Sequence, residues 1–135
     1  MRGLNYEVVA VNSLLPVVAT TSPTSTGVDL AGYEGAALVA HVGASGDTLG
    51  STVYLTVKFQ ESDNNSDWTD IAAGNLLGGA NGVVIDAYSE DEVVIERGYI
   101  GSKRYVRVAF VFTGTHTNGT PVAGLVLKGL PRHAG

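Results

Sequence analysis

The sequence predicts an all-β fold, an antiparallel β-sandwich of jelly-roll-like character with about eight short strands and an extended N-terminal arm. Three observations predict it. Residues 52–61 alternate strictly, with Val53, Leu55, Val57 and Phe59 on one face and Thr52, Tyr54, Thr56, Lys58 and Gln60 on the other. A period of two marks a strand with one face in a core and one face out of it. Residues 103–112 repeat the pattern, Val106, Val108, Phe110 and Phe112 alternating with Tyr105, Arg107, Ala109 and Val111. Finally, 18 glycines and clusters of Ser, Thr, Asn and Asp break the chain into short apolar runs, with no stretch of helical periodicity between them.

Each element follows from local chemistry. Residues 4–11 read as an edge strand or arm, with Tyr6, Val8 and Ala10 on one side. Residues 13–18 contain Pro16, which confines them to an edge. Residues 20–27, Thr-Thr-Ser-Pro-Thr-Ser-Thr-Gly, form a polar linker with little to bury. Residues 1–27 are therefore set apart as an arm or edge segment, and residues 28–135 as the sandwich domain. Within it, residues 28–30 and 36–42 are strands separated by a Gly32–Gly35 turn, and Leu38, Ala40 and Val42 share a face. After the long strand, Asp63-Asn-Asn-Ser-Asp67 turns the chain, and residues 68–71 return as the second arm of a hairpin. The glycine-rich residues 72–82 have room for one helical turn at residues 75–77. Short strands at residues 83–87 and 92–96 flank an acidic turn. The dipeptide Asn118-Gly119 predicts a type I′ hairpin joining residues 104–112 to a last strand at 122–128.

Composition bounds the function. A chain of 135 residues suits one domain with its own core. Without cysteine there is no disulfide scaffold and no thiolate zinc site. A net charge of −5 argues against a general nucleic-acid binder. No apolar run approaches the roughly 20 residues of a membrane helix. Glu7 and Asn12 interrupt any signal-peptide core, so no secretion signal is expected. The charges are segregated: all 13 acids fall at or before Glu96, while Arg97, Lys103, Arg104, Arg107, Lys128 and Arg132 follow it. Two readings stand, interleaved strands that pair these charges or a bipolar surface that meets a neighbour.

No catalytic, cofactor or metal site is expected. His41, His116 and His133 fall in a strand, a loop and a tail, without ligand spacing or a triad pattern. Asp63, Asn65 and Asp67 resemble the start of a calcium loop, but Trp68 stands where its glycine belongs and Gly74 where its glutamate belongs, so the run reads as a solvated turn. The glycines of residues 74–82 precede no lysine and no helix, which excludes a phosphate loop. Glu90, Asp91 and Glu92 share one turn, a poor arrangement for a glycosidase pair. Trp68 could stack on a sugar, but a lone Trp beyond a turn reads as a packing residue.

Several blocks carry a wider resemblance: Val28-Asp-Leu-Ala-Gly-Tyr33, His41-Val-Gly-Ala-Ser-Gly-Asp-Thr48, Phe59-Gln-Glu-Ser-Asp63 with Trp68-Thr-Asp-Ile71, Gly101-Ser-Lys-Arg-Tyr-Val-Arg107, Thr113-Gly-Thr-His-Thr-Asn-Gly-Thr-Pro121 and Gly129-Leu-Pro-Arg-His-Ala134. Together they resemble small all-β structural proteins of tailed bacteriophages. The resemblance implies a non-enzymatic virion component, a head decoration (cement) protein on the capsid exterior. Its partners would be the major capsid protein and neighbouring copies of itself, with no nucleic acid, membrane or cofactor. It brings no functional residues with it. Interface candidates come instead from residue type: Tyr54, Tyr99, Tyr105 and Arg107 for the body, and Tyr6, Val8, Leu14 and Val17 as anchors of the arm. The alternative function is a glycan- or receptor-binding module, such as a head fibre or tail accessory domain.

Overall fold

A computed structural model describes residues 8–131, with side chains through residue 129. The described residues form ten strands: β1 (Val9–Ala19), β2 (Val28–Asp29), β3 (Tyr33–Val42), β4 (Tyr54–Ser62), β5 (Thr69–Asp70), β6 (Leu76–Leu77), β7 (Val83–Ile85), β8 (Val93–Tyr99), β9 (Tyr105–Thr113) and β10 (Thr120–Pro131). They make two packed antiparallel sheets. Sheet I has the order β1-β10-β3-β8-β6, and sheet II the order β2-β9-β4-β5, with β7 also paired to β4.

The two alternating stretches become the centre of sheet II. β4 and β9 pair from Tyr54↔Thr113 to Ser62↔Tyr105, which sets Leu55, Val57 and Phe59 beside Val106, Val108 and Phe110 on the inner face. All six are at most 1% exposed. Across from them, sheet I contributes Leu14, Leu38, Ala40, Val42, Ile95, Val122 and Val126, so both inner faces close on one core. Ile71, Leu76, Ile85 and Tyr99 fill its margins. The predicted faces of residues 36–42, 52–61 and 103–112 are those observed.

Three local expectations are revised. Residues 4–7 lie outside the described residues, and residues 9–11 and 13–18 are not separate strands: β1 runs from Val9 to Ala19 as the edge of sheet I, paired to β10 from Val9↔Lys128 to Ala19↔Thr120. Its register shifts between Leu14 and Val17, and Pro16 sits in that irregularity, where it interrupts no ladder bond. Residues 75–77 hold the end of a one-turn 3₁₀ helix (Ala73–Asn75) followed by β6, not a helix of their own.

The third revision concerns Asn118-Gly119. β9 belongs to sheet II and β10 to sheet I, so residues 114–119 cross between sheets and the hairpin does not exist. Gly119 has φ +87°, but Asn118 is not in the positive region that a type I′ turn demands at both positions. Asp47 decides the loop instead. Its carboxylate accepts backbone N–H bonds from Thr117 (3.0 Å), Asn118 (2.8 Å) and Gly119 (2.8 Å), tying the crossing to the β3–β4 loop.

Candidate functional site

The sandwich presents two outer faces of opposite character. On sheet II the residues alternating with the core are Tyr54, Thr56, Lys58 and Gln60 of β4 and Tyr105, Arg107, Ala109 and Val111 of β9. Register places Arg107 beside Gln60, and Arg107 Nε donates to Gln60 Oε1 at 2.8 Å. Gln60 Nε2 donates in turn to Asp70 Oδ1 at 3.0 Å, and Lys58 Nζ reaches Asp70 Oδ2 at 3.4 Å. The Arg107 guanidinium lies 4.4 Å from the Trp68 ring centre, a cation–π contact. Partial burial lowers the pKa of Arg107 from its usual value without removing its charge. Trp68 also abuts Gly27, where a Cβ would come 2.7 Å from the ring. Held between Gly27 and Arg107, the indole is a packing residue of this face.

At the β9 end of the same face, Arg104 grips Asp29 with two bonds, Nε to Oδ1 at 2.9 Å and a terminal nitrogen to Oδ2 at 2.8 Å. That fork, helped by the Ala31 N–H, lowers the Asp29 pKa to about 2. Arg104 also lies 5.2 Å from the Tyr105 ring centre. Lys103 pairs with Asp63 at 2.8 Å, and Asn64 Oδ1 accepts from the backbone of Ser66 and Asp67, so the 63–67 run is a self-bonded turn.

Sheet I differs. The strands β3 and β10 are apolar on both sides, and their outward residues Ala37, Val39, Ala123, Leu125 and Leu127 form a continuous apolar surface with Ala10, Leu15 and Val18 of β1 and Val94 of β8. Leu15, Val18 and Val94 are 66%, 60% and 59% exposed. Among the described residues, the polar side chains on it are Asn12, His41 and Glu96. Antiparallel sheets with a solvated face read as apolar–polar alternation, and strands apolar on both sides belong to sheets covered on both sides. Residues 36–42 and 122–127 carry that signal in the sequence, as runs with almost no polar residue.

The ends of the sandwich carry two further features. A cleft of about 410 Å³ opens between the β2–β3 turn and the β8–β9 loop, lined by Tyr33, Glu34, Tyr99, Lys103 and Arg104 among others. Tyr99 is only 5% exposed, and its hydroxyl donates to the buried Glu61 Oε1 at 2.7 Å while accepting from Lys103 N at 2.9 Å. Burial, together with the Glu61 bond, raises the Tyr99 pKa far above that of a free phenol, so it stays a neutral donor. At the other end, His116 is buried, its Nε2 facing the carbonyls of Tyr54 (3.1 Å) and Thr113 (2.9 Å). Its Nδ1 lies 3.7 Å from Asp47 Oδ2.

The sequence-predicted interface residues therefore divide. Tyr54, Tyr105 and Arg107 all lie on the outer face of sheet II but apart, Tyr54 at one end and the other two toward the opposite end. Val17 is exposed on β1 and Val8 half-buried just before it. Leu14 and Tyr99 are buried in the chain's own core, which leaves them no free surface for a partner. Tyr6 and His133 lie outside the described residues. No three or more His, Asp or Glu side chains among the described residues are grouped to hold a metal ion. No protein-family model matches this chain, and no curated protein matches it.

Proposed function

We propose that this chain is a non-enzymatic structural protein of a virion, a decoration protein that binds the exterior of a major capsid protein lattice. The observation that carries the reading is the outer face of sheet II. Arg107, Trp68 and Tyr105 stand there among paired charges, and large aromatic and arginine side chains held in place are the composition of interface centres. Their mutual bonds hold them in position before any partner arrives, which lowers the entropy cost of docking. The bacteriophage resemblance supplies the class of partner. The jelly-roll reading belongs to the same proposal. It is supported by strand order, since the chain alternates between sheets and its first and last strands lie side by side. The Arg107 guanidinium stacked over the Trp68 ring counts against the glycan-binding alternative.

The test is co-sedimentation of purified protein with decoration-free capsids. Saturable binding, stoichiometric with the capsid lattice, is expected, and Arg107→Ala should weaken it at least about tenfold while the protein remains folded. Binding to no particle, or saturable binding on a glycan array in its place, would overturn the proposal.

A further inference from the structure

We infer that the outer face of sheet I binds a second copy of this chain, sheet against sheet, about a two-fold axis parallel to the strands. The register gives the reason. Asn12, Leu125, Val39 and Glu96 lie in one row across β1, β10, β3 and β8, because Asn12 pairs with Leu125, Leu125 with Val39 and Val39 with Glu96. A two-fold axis running between β10 and β3 lays this row on its own reverse. Leu125 then stacks on Val39 of the other copy, and the Asn12 amide meets the Glu96 carboxylate.

The same operation sets the exposed Leu15 opposite the exposed Val94. Glu96 is thus given a donor at the point where an apolar interface would otherwise strand a charge, and it meets no like charge. Strangers to this chain would need that donor by coincidence; a second copy has it by symmetry.

Size is consistent with a specific contact. Four strands (β1, β10, β3 and β8), each taking about 4.8 Å of width and contributing about seven residues at about 3.4 Å, present a face of roughly 20 by 25 Å. Two such faces bury about 1,000 Å², the lower bound for a specific interface. The dimer leaves both sheet II faces pointing outward, so it is separate from the proposed capsid contact and is measured without particles.

Sedimentation velocity on the full chain over a micromolar concentration series tests it. A concentration-dependent dimer is expected. Leu15→Glu and Val94→Glu change residues that are exposed in the single chain, so each should stay folded by circular dichroism and weaken the dimer at least about tenfold. Val111→Glu, on the opposite face, should leave it intact. The chain has no cysteine, so Asn12→Cys with Glu96→Cys gives a clean cross-linking pair. A bis-maleimide that bridges about 10 Å between stacked sheets but not about 14 Å across three strand spacings should join two chains in the double variant. A monomer at every concentration would overturn the inference, as would a dimer indifferent to both Leu15→Glu and Val94→Glu. A double variant that yields no joined pair would overturn the two-fold arrangement.

Discussion

Asp47 shows how much a single side chain settles in this fold. One carboxylate replaces the turn chemistry that Asn118-Gly119 promises, by accepting three successive backbone N–H bonds. Those bonds, with that of Asn118 foremost, hold its pKa below 3.8, and the Arg104 fork does the same for Asp29, to about 2. Both shifts favour the ionised, folded form. Their contribution is complete above the unfolded value of 3.8 and is lost as pH falls through the folded values, because the unfolded chain takes up protons first. The melting temperature should therefore hold to about pH 5 and drop steeply between about pH 4 and pH 2, and Asp47→Asn should shallow that drop. A melting series with and without the substitution measures both. Tyr99 is the second case. Tyr99→Phe leaves buried Glu61 without its donor and Lys103 N without its acceptor, and should cost about 1–3 kcal/mol by urea denaturation.

Among the elements, β4 is completed by a side chain. β7 pairs with its residues 55–57 and β5 with residues 60–61, leaving a gap at Phe59. Asn81 fills the gap. Its Oδ1 accepts from Phe59 N at 2.9 Å, and its Nδ2 donates to the carbonyls of Phe59 (2.8 Å) and Ile71 (3.0 Å), so one amide imitates a strand residue. Asn81→Ala should lower stability by about 1–3 kcal/mol, and Asn81→Asp should do so as well, since a carboxylate cannot donate to the two carbonyls. Equilibrium unfolding measures both. Ser13 performs a similar service at the irregular stretch of β1, its hydroxyl donating to Thr26 O and accepting from Val108 N of the other sheet.

At the scale of the whole molecule, the fold interleaves what the chain segregates. Arg104 pairs with Asp29 and Lys103 with Asp63, so the late basic segment lies among the early acids. Of the two readings of the charge pattern, pairing within one sandwich is the one seen for these residues. Residues 9–19 of the predicted arm are drawn in as well. β1 pairs with β10 along its length and places Leu14 and Ala19 in the core. Deleting residues 1–25 should therefore remove about 3 kcal/mol or more, or give insoluble protein, because it bares the edge of β10 and an inner face together. A truncation that melts with the full chain would show β1 to be dispensable.

What the sequence determined by itself is the class of fold and the inner faces of its long strands. Alternation at residues 36–42, 52–61 and 103–112 is a local record of which side meets the core, since successive side chains must point to opposite faces. Apart from the β4–β5 hairpin, which the 63–67 turn announces, the tertiary structure alone decided which strands are neighbours. A turn signal such as Asn118-Gly119 states that the chain can reverse, not whether it returns within one sheet or crosses to the other, and Asp47, some seventy residues away, makes that choice. The outer face of sheet I was half legible. Runs without polar residues in β3 and β10 show strands apolar on both sides, but only pairing brings Leu125 beside Val39 and sets Asn12 and Glu96 at opposite ends of one row. Register is a relation between distant segments, and it is there that an apolar run becomes a surface.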